Sequence, residues 1–446
     1  MKKSQSITIA GAGLVGSLIS IYLAKRGYAV NVFEKRPDMR TKSLDGGRSI
    51  NLALSNRGWW PLKEVGLESA VMDMVIPMTG RMMHDTSGIL TFQPYGKEGQ
   101  AINSISRGGL NALLMNEAEK EGVQIHFNCS IHHVDFDTST ISYQRSNGPL
   151  TQQQADIIIG SDGAFSAIRK SMQLTDRFNY SQHYIEHGYK ELTIPAGKNG
   201  EYLLDKHSLH IWPRGNYMLI ALPNKDASFT CTLFFPYEGP HSFEKINSDK
   251  DILDLFGRDF PDTLSIIPSV VDDYKNNPTS SLVTVKCYPW VKNKTLIMGD
   301  ASHAIVPFYG QGMNSGFEDC RVLNALLDTF DDNWNEVLPT FQQERKPDAD
   351  AISHLALQNF IEMRDLVGDE SFLLRKKIEA KLQERYPDKW VPLYSMVTFR
   401  ESLRYSQALE KGLQQKKIMD EVMNTPGIEK NWEQLDLENI VIQLEQ

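Results

Sequence analysis

The feature that most constrains this chain lies near its start. Ser6 to Ala10 reads as a buried strand, Gly11-Ala12-Gly13-Leu14-Val15-Gly16 as a tight turn, Leu14 to Arg26 as a helix capped by Gly27, and Ala29 to Glu34 as a second strand. The glycines allow the turn and let the backbone approach a pyrophosphate, and the helix start offers free N–H groups to an anion. Glu34 stands 18 residues past Gly16, at the end of the second strand, where a carboxylate takes a ribose hydroxyl. Strand, turn, helix and acid together predict a Rossmann-type dinucleotide site, although the motif alone does not separate NAD from FAD. Lys2 and Lys3 ahead of the uncharged run Ile7 to Ala24 also suggest a signal peptide or a membrane span. Three glycines in this register, with a strand directly after, argue against both.

Two later stretches end strands in the same manner. Asp156 to Gly160 is an apolar strand that runs into Gly160-Ser161-Asp162-Gly163-Ala164, with Ser166 and Arg169 beyond. Thr295 to Met298 is another, followed by Gly299, Asp300, a loop with Pro307, Gly310 and Gly312, and an amphipathic helix through Phe317, Leu323, Leu326, Leu327 and Phe330. Asp300 can accept hydrogen bonds from sugar hydroxyls, and the helix start near Met313 and Asn314 points N–H groups and a favourable dipole at an anion. An ordinary crossover would use the same turn residues. Taken together, the strand ends predict one crevice at the carboxyl edge of a doubly wound sheet. Arg107, at the start of a helical segment, suits a phosphate or carboxylate partner, and a merely solvated arginine fits equally well. The segment Gly46-Gly47-Arg48-Ser49-Ile50-Asn51-Leu52-Ala53-Leu54-Ser55 reads as a glycine loop entering an apolar element.

From Tyr180 to Pro289 the pattern changes to period two, with Phe229, Cys231, Leu233 and Phe235 on one face and a hairpin turn at Arg214-Gly215-Asn216. This predicts an antiparallel sheet inserted between two pieces of the nucleotide domain. Beyond Phe330 the pattern is helical: Phe341 to Val367, with an interruption expected at Pro347, a break over Tyr386 to Pro392, then Leu393 to Lys416. A length of 446 residues suits two or three domains, and a net charge of −9 with no basic stripe argues against nucleic acid. Cys129, Cys231, Cys287 and Cys320 are far apart, without metal-ligand spacing, as expected in a reducing cytoplasm.

GAGLVG with Glu34, GSDGAFSAIR at 160–169 and GDASHAIVPFYGQGMNSGFED at 299–319 occur together and in order. On these the chain resembles the single-component FAD-dependent aromatic hydroxylases, the family of para-hydroxybenzoate hydroxylase. GRSINLALS at 47–55, HIWPR at 210–214, IALPN at 220–224, AIVPFYGQGMN at 304–314, FIEMR at 360–364 and PLYSMVTF at 392–399 further resemble the members that hydroxylate L-kynurenine. The resemblance implies an α/β fold: a Rossmann-type FAD-binding domain at 1–178 and 290–330, an inserted antiparallel β-sheet substrate domain at 179–289, and a C-terminal helical region at 331–446. It also implies FAD contacts from Gly11, Gly13 and Gly16 at the pyrophosphate, Glu34 at the adenosine ribose with Arg36 nearby, and Ala53 and Arg107 beside the flavin. Asp300 would meet the ribityl chain, and Gly312, Met313 and Asn314 the isoalloxazine. Substrate contacts implied are Arg81, Tyr95, Asn359 and Tyr394. The residue types suit an aromatic amino acid, with a guanidinium fork for the α-carboxylate, rings with polar tips, and an amide.

The activity implied is hydroxylation of L-kynurenine with NADPH and O2 through a flavin C4a-hydroperoxide, in tryptophan degradation or NAD biosynthesis, without a catalytic side-chain nucleophile or a metal. Eukaryotic members carry a C-terminal membrane anchor. The charged segment Glu429 to Gln446 does not resemble one, which implies a soluble, cytoplasmic, bacterial form, with homodimer formation left open. A flavin halogenase is disfavoured because W-x-W-x-I-P is absent. A non-catalytic binding protein of the Rab GDP-dissociation-inhibitor kind need not keep all three flavin motifs, whereas this chain does.

Overall fold

The structure, a computed structural model, describes residues 3–41, 51–96, 99–362 and 370–445. The apolar runs of the nucleotide motifs pair as one six-stranded sheet. Its order is Val291–Lys292, Thr295–Ile297, Ile157–Gly160, Ser6–Ala10, Ala29–Phe33, Gln124–His126. All neighbours are parallel except the first pair. Ile7 faces Ile157 and Val30 in the register, and Ile9 faces Ile159 and Val32, all of them buried. Both faces of such a sheet are covered, which is why these strands read as unbroken hydrophobic runs. Because the strands are parallel, Gly11, Glu34, Ser161 and Gly299 all follow strand ends on the same edge. The helix Leu14–Lys25 leaves the first turn, and Gly312–Thr329 packs beside it.

The period-two segment forms most of a seven-stranded sheet, in the order Ser280–Tyr288, Asn179–Ile194, Phe229–Pro236, Met218–Pro223, Ser208–Pro213, Gly80–His84, Leu90–Pro94. The last two strands come from the first third of the chain. Gly80–His84 pairs parallel with Ser208–Pro213, setting Arg81 opposite Leu209. A strand of only five residues, GRMMH, gives little alternation to read. The insertion also carries the helices Asp249–Asp259 and Val270–Asn276, which cover the buried face of Trp212, Phe229 and Phe235. The first opens with a capping box, Ser248 and Asp251 bonding each other's backbone N–H. Smaller sheets join Asn51–Leu54, Ile102–Ser106 and Ile76–Met78, and separately Cys129–Asp135, Thr140–Arg145 and Leu150–Gln154.

The helical end departs from expectation in two places. Trp334–Ile361 runs through both Pro339 and Pro347 without a break, because ion pairs from Arg345 and Asp348 hold its inner face to neighbouring helices. The segment read as one helix from Leu393 divides into Leu393–Phe399 and Tyr405–Met423, since the carbonyls of Arg400 and Leu403 turn aside to the Arg57 guanidinium. The Gly46–Ile50 part of the glycine loop, and the tail of the long helical pattern with Arg364 and Val367, lie outside the described residues. No helix among the described residues is long and apolar enough to cross a membrane.

Candidate active site

A cavity of about 690 Å³ runs from the carboxyl edge of the six-stranded sheet to the face of the seven-stranded one. At its first end stands the glycine turn. Gly11 has φ +92°, and a Cβ there would lie 2.9 Å from backbone atoms of Ser161 and Asp162, so the two strand-end loops touch only because no side chain intervenes. A Cβ on Gly16 would lie 1.9 Å from the Gly11 carbonyl oxygen; this glycine serves helix-to-turn packing and is not on the cavity wall. Gly13 is the opposite case. It lines the cavity, and a Cβ on it would meet nothing within 4 Å. Glu34 also lines the wall, with Oε2 accepting from Ala12 N–H at 2.9 Å and Oε1 from Arg36 N–H at 2.9 Å and Arg36 Nε at 3.0 Å. A carboxylate offers about four acceptor positions, so one stays available.

Further in, Asp162 Oδ2 accepts from the Ala167 N–H at 2.6 Å, while its buried Oδ1 has no partner. Burial pushes this carboxyl up. Arg169 ties two strand-end loops together, donating to Ala301 O at 2.7 Å and Ala164 O at 2.5 Å. Asp300 opens onto the cavity yet stands deep among protein atoms. Burial pushes its carboxyl up, against the pull of His303 and Arg107. Arg107 is the exposed first residue of the helix Arg107–Lys120, on the cavity wall. That helix starts at Arg107, as read from the sequence, and Ser106 caps it by accepting from Gly109 N–H at 3.2 Å.

At the helix Gly312–Thr329, the Ser315 N–H bonds the Gln311 carbonyl at 2.8 Å, leaving the N–H groups of Gly312, Met313 and Asn314 as free donors. Gly312 and Met313 line the cavity, as does Ala53. Asn314 does not. Its side chain donates to Ala53 O and Gly310 O, each at 2.8 Å, and accepts from Ser55 N–H at 3.0 Å, clamping three segments behind the wall.

At the far end three rings stack in a column. Tyr394 lies 5.5 Å from Tyr309 and 5.3 Å from Tyr95, with interplanar angles of 17° and 14°. The Arg81 guanidinium sits 4.8 Å from the Tyr394 centroid and 5.6 Å from that of Tyr95. Its Nε is buried without a hydrogen-bond partner. Arg81, Tyr309 and Tyr394 line the cavity, with Leu209, Met218, Ile220 and Phe234 as an apolar floor. Tyr95 lies behind Tyr394, and Asn359 donates to Phe308 O at 2.7 Å, supporting the wall from outside. Tyr309 was not singled out in the sequence. Its signal was an aromatic between Pro307 and Gly310, in a loop already assigned to the ligand.

The unpartnered Asp162 Oδ1, the open space at Gly13 and the free helix N–H groups fit a dinucleotide with a planar ring system at the Met313 end. The family described as FAD binding domain matches residues 4–356. A kynurenine 3-monooxygenase from Christiangramia forsetii is 49% identical over 446 residues, covering 100% of this chain and 99% of that one. Another from Anopheles gambiae is 45% identical, covering 94% of this chain and 86% of that one. The tetrameric 2-methyl-3-hydroxypyridine-5-carboxylic acid oxygenase shares the fold with a TM-score of 0.69 at 20% identity, over 82% of this chain and 94% of that chain. The tetracycline destructase Tet(51) does so at 0.62 and 18%, over 84% and 95%. Fold and site together define a flavoprotein monooxygenase with an FAD-binding domain. Within that class the chain belongs to the kynurenine 3-monooxygenase family.

Proposed function

We propose that the chain hydroxylates L-kynurenine to 3-hydroxy-L-kynurenine in the cytoplasm, with FAD as cofactor, NADPH as reductant and O2 as co-substrate. FAD, when bound, supplies the redox chemistry, accepting hydride from NADPH and activating O2. The chain's own residues bind, orient and shield. Gly11 and Gly13 would admit the pyrophosphate, Glu34 the adenosine ribose, and Asp300 the ribityl hydroxyls. The free N–H groups at Gly312–Asn314 would stabilise negative charge on the ring system.

Arg81 carries the substrate assignment. It is a cation on a cavity wall with a buried N–H that lacks an acceptor. A substrate carboxylate supplies that acceptor, and the Tyr309 and Tyr394 rings beside it give an aryl ring an aromatic wall. The apolar floor of Leu209, Met218, Ile220 and Phe234 excludes water from the reacting ring. Tyr95 and Asn359 act one layer back, holding Tyr394 and the Pro307–Tyr309 turn.

Anaerobic reduction of the bound flavin by NADPH, with a panel of aryl amino acids, tests the reading. Kynurenine should accelerate reduction most, and product analysis should give the 3-hydroxylated compound. Equal acceleration by every aryl amino acid, or oxidation elsewhere on kynurenine, would overturn it.

A further inference from the structure

Behind the cavity, and absent from its wall, lies a buried chain of ions. The Arg57 side chain is fully buried. Its Nη1 donates to Glu318 Oε1 at 2.8 Å, and Glu318 Oε2 accepts from Arg345 Nη1 at 2.8 Å. Arg345 Nε reaches Asp319 Oδ1 at 2.8 Å, and Asp319 Oδ2 accepts from Gly299 N–H at 3.0 Å and His303 Nε2 at 2.6 Å. Such a chain is costly to desolvate and adds little net stability over apolar packing, so its geometry calls for another account.

The other face of Arg57 supplies one. Its Nε donates to Val397 O at 2.7 Å, and its Nη2 donates to Arg400 O at 3.2 Å and also to Leu403 O. The guanidinium lies 4.0 Å from the Tyr405 ring centroid. Val397 lies in the last turn of the helix Leu393–Phe399, Arg400 caps it, and Leu403 closes the link to the next helix, Tyr405–Met423. A helix of seven residues is too short to hold itself, and its last carbonyls need partners. Arg57 provides one for Val397 and ties down the link that follows, while Tyr394 projects into the cavity from the other end of the helix. Glu318 meanwhile belongs to the helix that presents Met313.

We propose that Arg57 and Glu318 are positioning residues that latch the Tyr394 helix to the Met313 helix and so set the gap in which the aryl ring is held. This rests on Tyr394 facing the substrate, as in the proposed function. A lysine at position 57 keeps the charge and can reach Glu318, but it has no planar fork to span the carbonyls.

In the FAD-loaded protein, Arg57→Lys should leave FAD affinity within about twofold of wild type and raise the Kd for kynurenine at least about tenfold. Tyr394→Ala should weaken kynurenine binding strongly in the wild-type background and far less in the Arg57→Lys background. A purely structural residue would not produce that non-additivity. Additive effects, or FAD and kynurenine affinities falling together, would overturn the latch. Hydrogen exchange of the FAD-loaded protein needs no substrate and separates this idea from the substrate assignment. Peptides over 393–403 should exchange faster in Arg57→Lys while those over 312–329 stay protected, and unchanged exchange over 393–403 would overturn it. If Arg57→Lys fails to fold, Glu318→Gln takes its place in both measurements, because the amide leaves one of the two arginines without an acceptor.

Discussion

Gly13 and Gly16 stand three residues apart and meet opposite demands. A methyl on Gly16 would collide with the Gly11 carbonyl at 1.9 Å, which is backbone and cannot swing away. Gly16→Ala should therefore cost roughly 1–3 kcal/mol of stability, read as a lower denaturation midpoint without FAD. A methyl on Gly13 meets no protein atom and projects where the pyrophosphate would approach. Gly13→Ala should keep the FAD-free midpoint while FAD affinity falls more than tenfold in a fluorescence titration; unaltered affinity would remove Gly13 from the cofactor contacts. Arg81→Ala should leave FAD content normal and weaken kynurenine binding by about 2–5 kcal/mol, and wild-type affinity in that variant would exclude the carboxylate contact. At this scale the sequence shows which residues gather, better than what each side chain does. Asp300 and Asp319 sit in one motif, yet the first opens to the cavity and the second is fully buried under His303 and Arg345. Burial alone would raise the Asp319 carboxyl; His303 and Arg345 outweigh that and hold it at about 2. Nothing in the local sequence separates the two acids, because the partner Arg345 arrives from a distant helix. Asn314 is similar. Its motif is plain, while its three bonds to Ala53, Gly310 and Ser55 depend on loop placement.

Among elements, the adjacent strands Gly80–His84 and Ser208–Pro213 share a buried polar chain. His84 contacts Asp262 at 2.8 Å and His210 at 2.9 Å, and His210 Nε2 donates to Asp205 O at 2.8 Å. Burial pushes His210 down to about 4. The unfolded chain, with an ordinary value near 6.5, therefore binds a proton between about pH 6.5 and 4 that the folded chain does not. Stability should fall on acidification through that window, by about 2 kcal/mol from this group at pH 5. Urea midpoints at pH 7 and 5 measure it, and His210→Asn should flatten the dependence; an unchanged slope would clear His210 of the effect. The parallel strands were legible because each is an apolar run ended by glycine. Gly80–His84 was not, since its membership of the sheet depends on pairing across more than a hundred residues. The long helical pattern from Phe341 is legible, while its continuity through Pro347 is not, because local propensity carries no knowledge of the ion pairs at Arg345 and Asp348.

For the molecule as a whole, the one dinucleotide fingerprint read in the sequence, at Gly11 to Gly16, is assigned to FAD, and the prediction is that NADPH meets the flavin from outside. A ring open to NADPH and a ring sheltered for hydroxylation are two different arrangements. The Pro307–Tyr309 turn bridges them best, touching Tyr394 through Tyr309 and Asn359 through the Phe308 carbonyl. NADPH oxidation should be slow alone and fast with kynurenine, and an analogue without a hydroxylatable carbon should give hydrogen peroxide. Stopped-flow reduction with a peroxide assay decides it, and equal rates with and without kynurenine would exclude gating. The order of strands in the central sheet has a consequence for biosynthesis. Ser6–Ala10 is made first but sits between Ala29–Phe33 and Ile157–Gly160, with Thr295–Ile297 beyond. During translation the earliest strand must wait, unpaired on one side, until the ribosome has passed residue 160, and the ring end of the site is missing until Gly312 to Asn314 emerge. The expected outcome is late flavin capture on the ribosome, so a nascent chain arrested at residue 290 should retain none.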